Sequence, residues 1–161
     1  MLDCDIGLVG LAGSGKDTAA KALTDRGWRR IAFADRLKEI AYELGWDGLK
    51  DERGRKFLQD IGSVARAYDK QFWIDEATQV LNYVSTAFRK VPRVWTDVRF
   101  ENEAQFIRDR GGIIIRVIRP DLVSHDTHES EVEQHSISAD YTVVNAGTIE
   151  DLHAMIRNII Q

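Results

Sequence analysis

Short apolar runs alternate with amphipathic stretches along most of this chain. Asp5 to Val9 form an apolar run that predicts a buried strand, and Asp17 to Arg26 follow with apolar residues at helical spacing, closed by Gly27. Because strands that alternate with helices form parallel sheets covered on both faces, the pattern predicts a three-layer α/β fold with a sheet of about five strands. Further strands are predicted at Arg30–Phe33, Val94–Thr96, Ile113–Ile118 and Tyr141–Val144, and further helices at Asp35–Leu44, Asp51–Ala67, Lys70–Phe88, Glu101–Arg110 and Ile149–Ile160; in the first of these, Leu37, Ile40, Ala41 and Leu44 are expected to face inward.

Two segments interrupt this alternation. Helical patterns fill residues 46–90 with no strand between them, which predicts a helical insertion. A polar stretch of about twenty residues runs from Pro120 to Asp140, and because loops of this length are usually functional or disordered, we expect a lid at about residues 120–140. With both segments included, residues 1–161 are expected to form a single domain.

Composition narrows the class of protein. The 161 residues are 43% hydrophobic and 30% charged, as in globular domains, and the net charge of −4 argues against general binding of nucleic-acid polymers. Cys4 is the only cysteine, so no intramolecular disulfide can form, and we expect an inert core thiol in a reducing compartment. No window is apolar enough to span a bilayer and no signal segment is evident, so the sequence predicts a cytoplasmic protein without membrane association.

The glycine-rich segment from Gly10 to Thr18 is the most specific motif. Its G-x-x-x-x-G-K pattern is typical of a phosphate-binding loop, in which backbone N–H groups and Lys16 surround a polyphosphate at the start of a helix. Asp17 stands where Ser or Thr is usual, and Thr18 supplies a hydroxyl one residue later. Asp17 is expected either to approach Mg²⁺, directly or through water, or to begin the helix, where the dipole favours a carboxylate. The alternative, a glycine-rich turn with an exposed lysine, is less favoured because spacing, lysine and flanking elements agree.

Two further segments follow predicted strands. Asp97 and Arg99 lie just after a strand, at the edge where parallel sheets bind ligands; Asp97 could hold Mg²⁺ through water or accept a hydrogen bond from a sugar or base, and Arg99 could clamp a phosphate. The alternative is a surface pair that caps the next helix. Asp35 is a candidate N-cap, and Lys38 is close enough to that helix start to reach an anion.

The polar stretch contains several potential metal ligands. Without a nearby cysteine or a two-histidine helix motif, a structural zinc site is not favoured. Arg116 and Arg119 precede the stretch, and an arginine delivered by lid closure can stabilise a phosphoryl group in transfer. The potential ligands are His125, Asp126, His128, Glu129, Glu131, Glu133 and His135.

An ordered set of motifs resembles the phage-type deoxynucleoside monophosphate kinase family. The order and spacing match along nearly the whole chain, and the resemblance implies a P-loop kinase fold that phosphorylates deoxynucleoside monophosphates (dNMPs) with ATP and Mg²⁺. The motifs are Gly13-Ser14-Gly15-Lys16-Asp17-Thr18, Phe33-Ala34-Asp35-Arg36-Leu37-Lys38, Asp97-Val98-Arg99-Phe100-Glu101-Asn102-Glu103, Arg116-Val117-Ile118-Arg119-Pro120, His128-Glu129-Ser130-Glu131 and Asn145-Ala146-Gly147-Thr148.

The resemblance also implies roles for individual residues. Lys16, Asp97, Arg99 and Arg119 would act in catalysis, and Asp17 and Thr18 at the metal. Residues around ATP would be Gly13, Ser14, Gly15, Lys16, Asp17 and Thr18, with Asn145 and Thr148 beside the adenine; those around the dNMP would be Asp35, Lys38, Arg55, Gln59, Gly62, Arg66, Trp73, Asp97, Arg99 and Glu103.

Two departures from the family pattern leave questions open. Arg36 stands where a proline is common, and the helical insertion is shorter than in some family members. Base specificity and homodimer formation therefore stay open. A small-metabolite kinase of the dephospho-coenzyme A or phosphomevalonate type, or a nucleotide-dependent switch without an acceptor, are the alternative functions.

Overall fold

A computed structural model describes residues 4–85, 91–123 and 128–161 of the chain. Within these ranges, five strands form one sheet in the order β2-β3-β1-β4-β5, and every neighbouring pair is parallel. The predicted α/β architecture with five parallel strands is confirmed. The strands are β1 (Ile6–Val9), β2 (Arg29–Ile31), β3 (Arg93–Trp95), β4 (Ile113–Ile118) and β5 (Tyr141–Val144).

The helices agree with the predicted pattern except in the polar stretch. There, where a loop was expected, a short helix and a 3-10 turn at Glu133–His135 are present. Residues 86–88 of the predicted insertion helix, and residues 124–127 of the predicted lid, lie outside the described residues. The helices are α1 (Lys16–Thr24), α2 (Ala34–Glu43), α3 (Glu52–Tyr68), α4 (Phe72–Ser85), α5 (Glu101–Asp109), α6 (Glu129–Val132) and α7 (Ile149–Ile159).

Contacts divide the chain into two compact units. The sheet unit comprises residues 1–31 and 89–161, and the helical unit comprises residues 32–88. The helical unit overlaps the segment of about residues 46–90 that is predicted as an insertion, and it also includes α2. The single-domain assignment and the lid stay predictions.

Helices cover both faces of the sheet. On one face α1 and α7 pack on Ile6 and Leu8 of β1, which are fully buried, and on Val143 of β5. On the other face α5 approaches β1 so closely that a Cβ at Gly7 would lie 2.8 Å from Ile107 Cδ1. The resulting core holds the carboxyl ends of β1, β3 and β4 side by side, at one edge of the sheet.

Two hydrogen bonds stabilise the helical unit. Asp51 caps α3 by accepting a hydrogen bond from Gly54 N at 2.8 Å. Buried Trp73 on α4 donates from Nε1 to Gly62 O on α3 at 3.1 Å. These bonds fix the start of α3 and its register against α4.

None of the described helices is long and apolar enough to cross a membrane.

Three local expectations are wrong. Leu44, expected to face inward, is 64% exposed because α2 ends one residue before it. Cys4 is only half-buried, so it is not a core thiol. Asp35 is the second residue of α2 and not its N-cap, since the helix begins at Ala34.

Candidate active site

The glycine-rich segment connects β1 to α1, as the sequence predicts. Gly15 immediately precedes α1 with φ of 105°, a left-handed conformation that side chains disfavour. A Cβ at this position would lie 2.5 Å from Asn145 Nδ2. At Gly10 a Cβ would lie 2.3 Å from Val117 O. Both positions therefore require glycine. Gly15 requires it for its backbone angle and because Asn145 is close, and Gly10 requires it because the backbone of β4 approaches closely.

Asn145, the residue after β5, supports the loop from the side. Its Nδ2 donates to Ser14 O at 3.0 Å, and its own N–H donates to Ile118 O at 2.7 Å. This contact ties the end of the sheet to the loop. It accounts for Asn145 without a nucleotide, so its predicted place beside the adenine stays a prediction.

Lys16 is folded back onto the loop. Its Nζ donates to Gly10 O and, at 2.9 Å, to Leu11 O. Burial, with a smaller contribution from the positive charge of Arg99, lowers the pKa of Lys16 from 10.5 to about 8. Three carboxylates act in the opposite direction and raise this pKa, those of Glu131, Asp17 and Asp97. The lysine thus lies in a cluster of charges from three separate segments, namely the start of α1, the chain after β3, and α6.

Arg99 follows β3 and extends towards α6. Its Nη1 donates to Glu131 Oε1 and, at 3.3 Å, to Ser130 Oγ. The start of α5 is instead capped by Glu103, whose Oε2 accepts from Arg99 N at 2.8 Å and Phe100 N at 3.2 Å. In the alternative interpretation Asp97 and Arg99 form a surface pair that caps this helix; the Arg99 side chain takes no part in such a cap, since it contacts α6. Glu103 is 5% exposed and positions the backbone of Arg99.

The end of the polar stretch is attached to the sheet. Arg116 Nη2 on β4 donates to Gln134 O at 3.2 Å and to Ile137 O at 2.5 Å, and burial lowers the pKa of this arginine. Arg119, by contrast, is exposed after the end of β4. Among the residues described, no group of three or more His, Cys, Asp or Glu could hold a metal ion; His125 and Asp126 lie outside those residues.

The remaining predicted residues lie in other surroundings. Thr148 caps α7, where its hydroxyl and amide both bond Asp151 Oδ2, and these bonds lower the pKa of Asp151. In the helical unit Lys38 Nζ lies 3.4 Å from Asp35 Oδ1, and Arg55 Nε donates to Lys50 O at 2.9 Å. The other predicted dNMP residues of that unit are half-buried Gln59 and Arg66 and buried Gly62 and Trp73.

Comparison with known proteins identifies the family. The family model for deoxynucleotide monophosphate kinase matches residues 50–156. A protein of Acanthamoeba polyphaga mimivirus, named as a deoxynucleotide monophosphate kinase, is 40% identical over 184 residues, covering 94% of this chain and 93% of its own. The chain belongs to the deoxynucleotide monophosphate kinase family.

More distant kinases agree with this family and with the fold. The deoxynucleotide monophosphate kinase of Escherichia phage RB69 is 27% identical over 110 residues, covering 66% of this chain and 44% of its own. Shikimate kinase from Aquifex aeolicus superposes with a TM-score of 0.57 at 16% identity, covering 96% of this chain and 94% of its own. Dephospho-CoA kinase from Campylobacter jejuni gives a TM-score of 0.50 at 14% identity, covering 98% and 95%. The last two show a shared fold alone.

Sequence reasoning missed part of the arrangement in this deoxynucleotide monophosphate kinase. Glu131 and Ser130 were considered only within a family motif or as metal ligands, and the contact of Glu131 with Arg99 was not foreseen. Gln134, 2% exposed, was missed altogether. The available signal was the His128–Glu131 motif itself, but nothing in a linear sequence pairs it with a residue 32 positions earlier.

The loop fits the triphosphate that a kinase of this family requires. Lys16 Nζ already donates to two oxygens, the number that a lysine between two phosphates would contact. The buried hydroxyl of Ser14 has no hydrogen-bond partner among the described residues. Asp17, exposed in the first turn of α1, and half-buried Thr18 offer hard oxygen atoms of the kind that Mg²⁺ prefers.

Proposed function

We propose that this chain transfers the γ-phosphoryl group of ATP to a deoxynucleoside 5′-monophosphate, in the presence of Mg²⁺, and forms ADP and the deoxynucleoside diphosphate. One observation supports this most strongly, namely the cluster in which Lys16 of the phosphate loop lies among Arg99, Asp97 and Glu131. The family membership supplies the class of acceptor. Lys16 and Arg99 are the cations proposed for the two phosphate groups.

The proposed transfer is direct and in line. An oxygen of the dNMP phosphate attacks the γ-phosphorus, the bond from that phosphorus to the β–γ bridging oxygen breaks, and ADP leaves with the electron pair. A phosphate monoester is already ionised near neutral pH, so no strong general base is needed, and position and charge neutralisation provide most of the catalysis. Mg²⁺, when bound near Asp17 and Thr18, supplies further neutralisation of charge on the phosphates.

Each residue of the cluster has a proposed role. Lys16 leaves the carbonyls of its own loop and follows the transferring phosphoryl group. Arg99 fixes the acceptor phosphate, and Asp97 holds Mg²⁺ through water or accepts a hydrogen bond from the nucleoside. Arg119 is proposed to reach the phosphates on lid closure, which would also exclude water as a competing acceptor.

The remaining contacts follow from the resemblance. Glu103 is proposed to border the dNMP, as are the residues of the helical unit, and Asn145 and Thr148 to border the adenine. We further propose a cytoplasmic enzyme whose partners are small molecules and not nucleic-acid polymers. The proposed residues of the helical unit are Asp35, Lys38, Arg55, Gln59, Gly62, Arg66 and Trp73.

The test is the nucleotide product spectrum. ADP formation is measured with dGMP, dTMP, dCMP, dAMP and the ribonucleotides, and with dephospho-coenzyme A and phosphomevalonate as competing acceptors. We expect at least one dNMP to accelerate ADP formation and to appear as its diphosphate. Acceleration only by one of the two metabolites would favour a small-metabolite kinase. ATP hydrolysis that no acceptor accelerates would favour a nucleotide-dependent switch.

A further inference from the structure

We infer that Glu131 is a positioning residue for phosphoryl transfer, because its carboxylate holds the Arg99 guanidinium at the end of β3 and balances the charge of that group beside Lys16. The inference rests on the proposed role of Arg99 as the cation that fixes the acceptor phosphate. It assigns a function to Glu131, a residue of the polar stretch that has no direct part in the proposed transfer.

The contacts of Glu131 fix both of its oxygens. Oε1 is ion-paired with Arg99 Nη1, and Oε2 accepts a hydrogen bond from Gln134 Nε2 at 2.9 Å. Glu131 is 5% exposed and Gln134 is 2% exposed, so water has little access to the carboxylate oxygens. Ser130 Oγ adds a second contact to the same Arg99 nitrogen at 3.3 Å. One edge of the guanidinium is therefore held, and only the rest of the group can face a phosphate.

A merely structural role explains this arrangement less well. A buried carboxylate is costly to desolvate, and an ion pair often returns less than that cost. The segment around α6 is also attached by Arg116, whose bonds to Gln134 O and Ile137 O do not involve the Glu131 side chain. A second attachment through a buried charge pair is not needed for that purpose. The pair lies instead where a phosphate-binding arginine and the loop lysine influence each other.

The geometry makes a positioning role measurable. Glu131 holds one edge of the Arg99 guanidinium, the cation proposed for the acceptor phosphate. Lys16 has its own contacts, with the carbonyls of Gly10 and Leu11, and these do not involve Glu131. Loss of the Glu131 carboxylate should therefore affect use of the dNMP more than use of ATP.

The experiment compares Glu131→Gln with Glu129→Gln, the same change at an exposed position of the same helix. For Glu131→Gln we expect kcat/KM for the dNMP to fall by about 10- to 100-fold, as for loss of a charged hydrogen bond. The KM for ATP should stay within about twofold of the wild-type value, whereas a general loss of structure would affect both substrates. Glu129→Gln should match the wild type in both. Thermal unfolding of each variant is measured in parallel.

A lowered melting temperature with both kinetic measures unchanged would overturn the inference and leave Glu131 a structural residue. If Glu131→Gln fails to fold, Glu131→Asp provides the test, because it keeps the charge but shortens the reach to Arg99. It should lower kcat/KM for the dNMP and leave the KM for ATP unchanged; an unchanged kcat/KM for the dNMP would again count against the inference. Absence of dNMP phosphorylation in the wild type would instead contradict the proposed function, so the two failures are distinguishable.

Discussion

At the scale of single residues, the site depends on an amine that is held in an unfavourable environment. Lys16 is half-buried among its own loop carbonyls and near an arginine, and its pKa is lowered to about 8. A lysine that is easily deprotonated gains most from phosphate oxygens, because these restore the charged form. Stability and activity should therefore respond to this one residue in opposite directions.

Replacement of Lys16 with Met should lower the rate of dNMP phosphorylation by about a thousandfold, as for loss of one preorganised group that stabilises transition-state charge. The aliphatic stem is similar in length, so the fold should persist. The rate is measured at saturating ATP and dNMP, with circular dichroism as the control for folding. A variant with a near-normal rate would refute the assignment of Lys16.

The wild type and the Lys16→Met variant should differ in how their stability changes with pH. Since the folded-state pKa of Lys16 lies near 8, below 10.5, the unfolded chain binds more protons between these two values, and stability rises with pH in that window. Below pH 8 the buried charge disfavours folding by at most about 3 kcal/mol. Urea unfolding at pH 7 and pH 10 should therefore show the wild type gaining stability relative to Lys16→Met. Equal gaps at both values would contradict it.

A further prediction concerns Gly15 and Asn145. Gly15→Ala should impair the loop twice, through its φ of 105° and through a Cβ 2.5 Å from Asn145 Nδ2. Asn145→Ala removes the second effect only, at the cost of a hydrogen bond to Ser14 O of about 1 kcal/mol. The two changes should therefore be less than additive in the free energy of unfolding. Strict additivity in a double-mutant cycle would show that the two side chains do not interact.

At the scale of elements, the sequence predicts best where burial is apolar. Ile113–Ile118 and Tyr141–Val144 were predicted with their observed bounds because their apolar runs coincide with the strands. β2 was predicted one residue late, since its exposed arginines give no apolar signal while Ala32 and Phe33 after it are buried. α6 was missed because it buries Ser130 and Glu131, and a hydrophobic pattern cannot detect a buried polar face.

The candidate site also has parts that the sequence predicts and parts that it does not. The phosphate loop was predictable because one continuous segment supplies the glycines, the lysine and the helix start. The contact of Arg99 with Glu131 was not, because it depends on where β3 and α6 meet in the folded chain. Neither was the support of Ser14 by Asn145, whose partners are 131 residues apart. Local chemistry was thus readable, and pairing across elements was not.

In the helical unit, Trp73 gives a prediction for the α3–α4 contact. Its Nε1 is hydrogen-bonded to Gly62 O, and the side chain is 3% exposed. Trp73→Phe keeps most of the apolar area but leaves that carbonyl without its donor, so we expect a loss of about 1 to 3 kcal/mol in the free energy of unfolding. Chemical denaturation measures this. Thr78→Ala on the same helix serves as a milder control; an equal loss in both variants would show that the indole bond is unimportant.

At the scale of the whole molecule, the carboxyl ends and the amino ends of the strands have different functions. The phosphate loop and Arg99 follow the carboxyl ends of β1 and β3, while Asp5 precedes β1 at the amino end. Asp5 is 6% exposed and accepts from Trp95 Nε1 at 3.2 Å, with Arg93 and Arg110 at 3.6 and 3.5 Å. Stability and chemistry should accordingly be separable by substitution.

Asp5→Asn tests this separation. The amide oxygen can still accept from Trp95, but two arginines lose their counter-charge, so we expect a loss of about 1 to 3 kcal/mol in stability. At a temperature well below unfolding, kcat/KM for ATP and for the dNMP should equal those of the wild type. A selective fall in either kinetic constant, with unfolding unchanged, would mean that the amino ends of the strands take part in the reaction.

The hydrogen bonds from Lys16 to Gly10 O and Leu11 O have one more consequence, for competition between ligands. An anion that enters the loop must replace two acceptors that are already in place, and a single inorganic phosphate offers few additional contacts in return. A triphosphate offsets the loss of these two hydrogen bonds, because it has more oxygens and also contacts the amides of the loop. The loop therefore discriminates between anionic ligands by the number of their phosphate groups, and cellular orthophosphate should be a poor inhibitor of this enzyme.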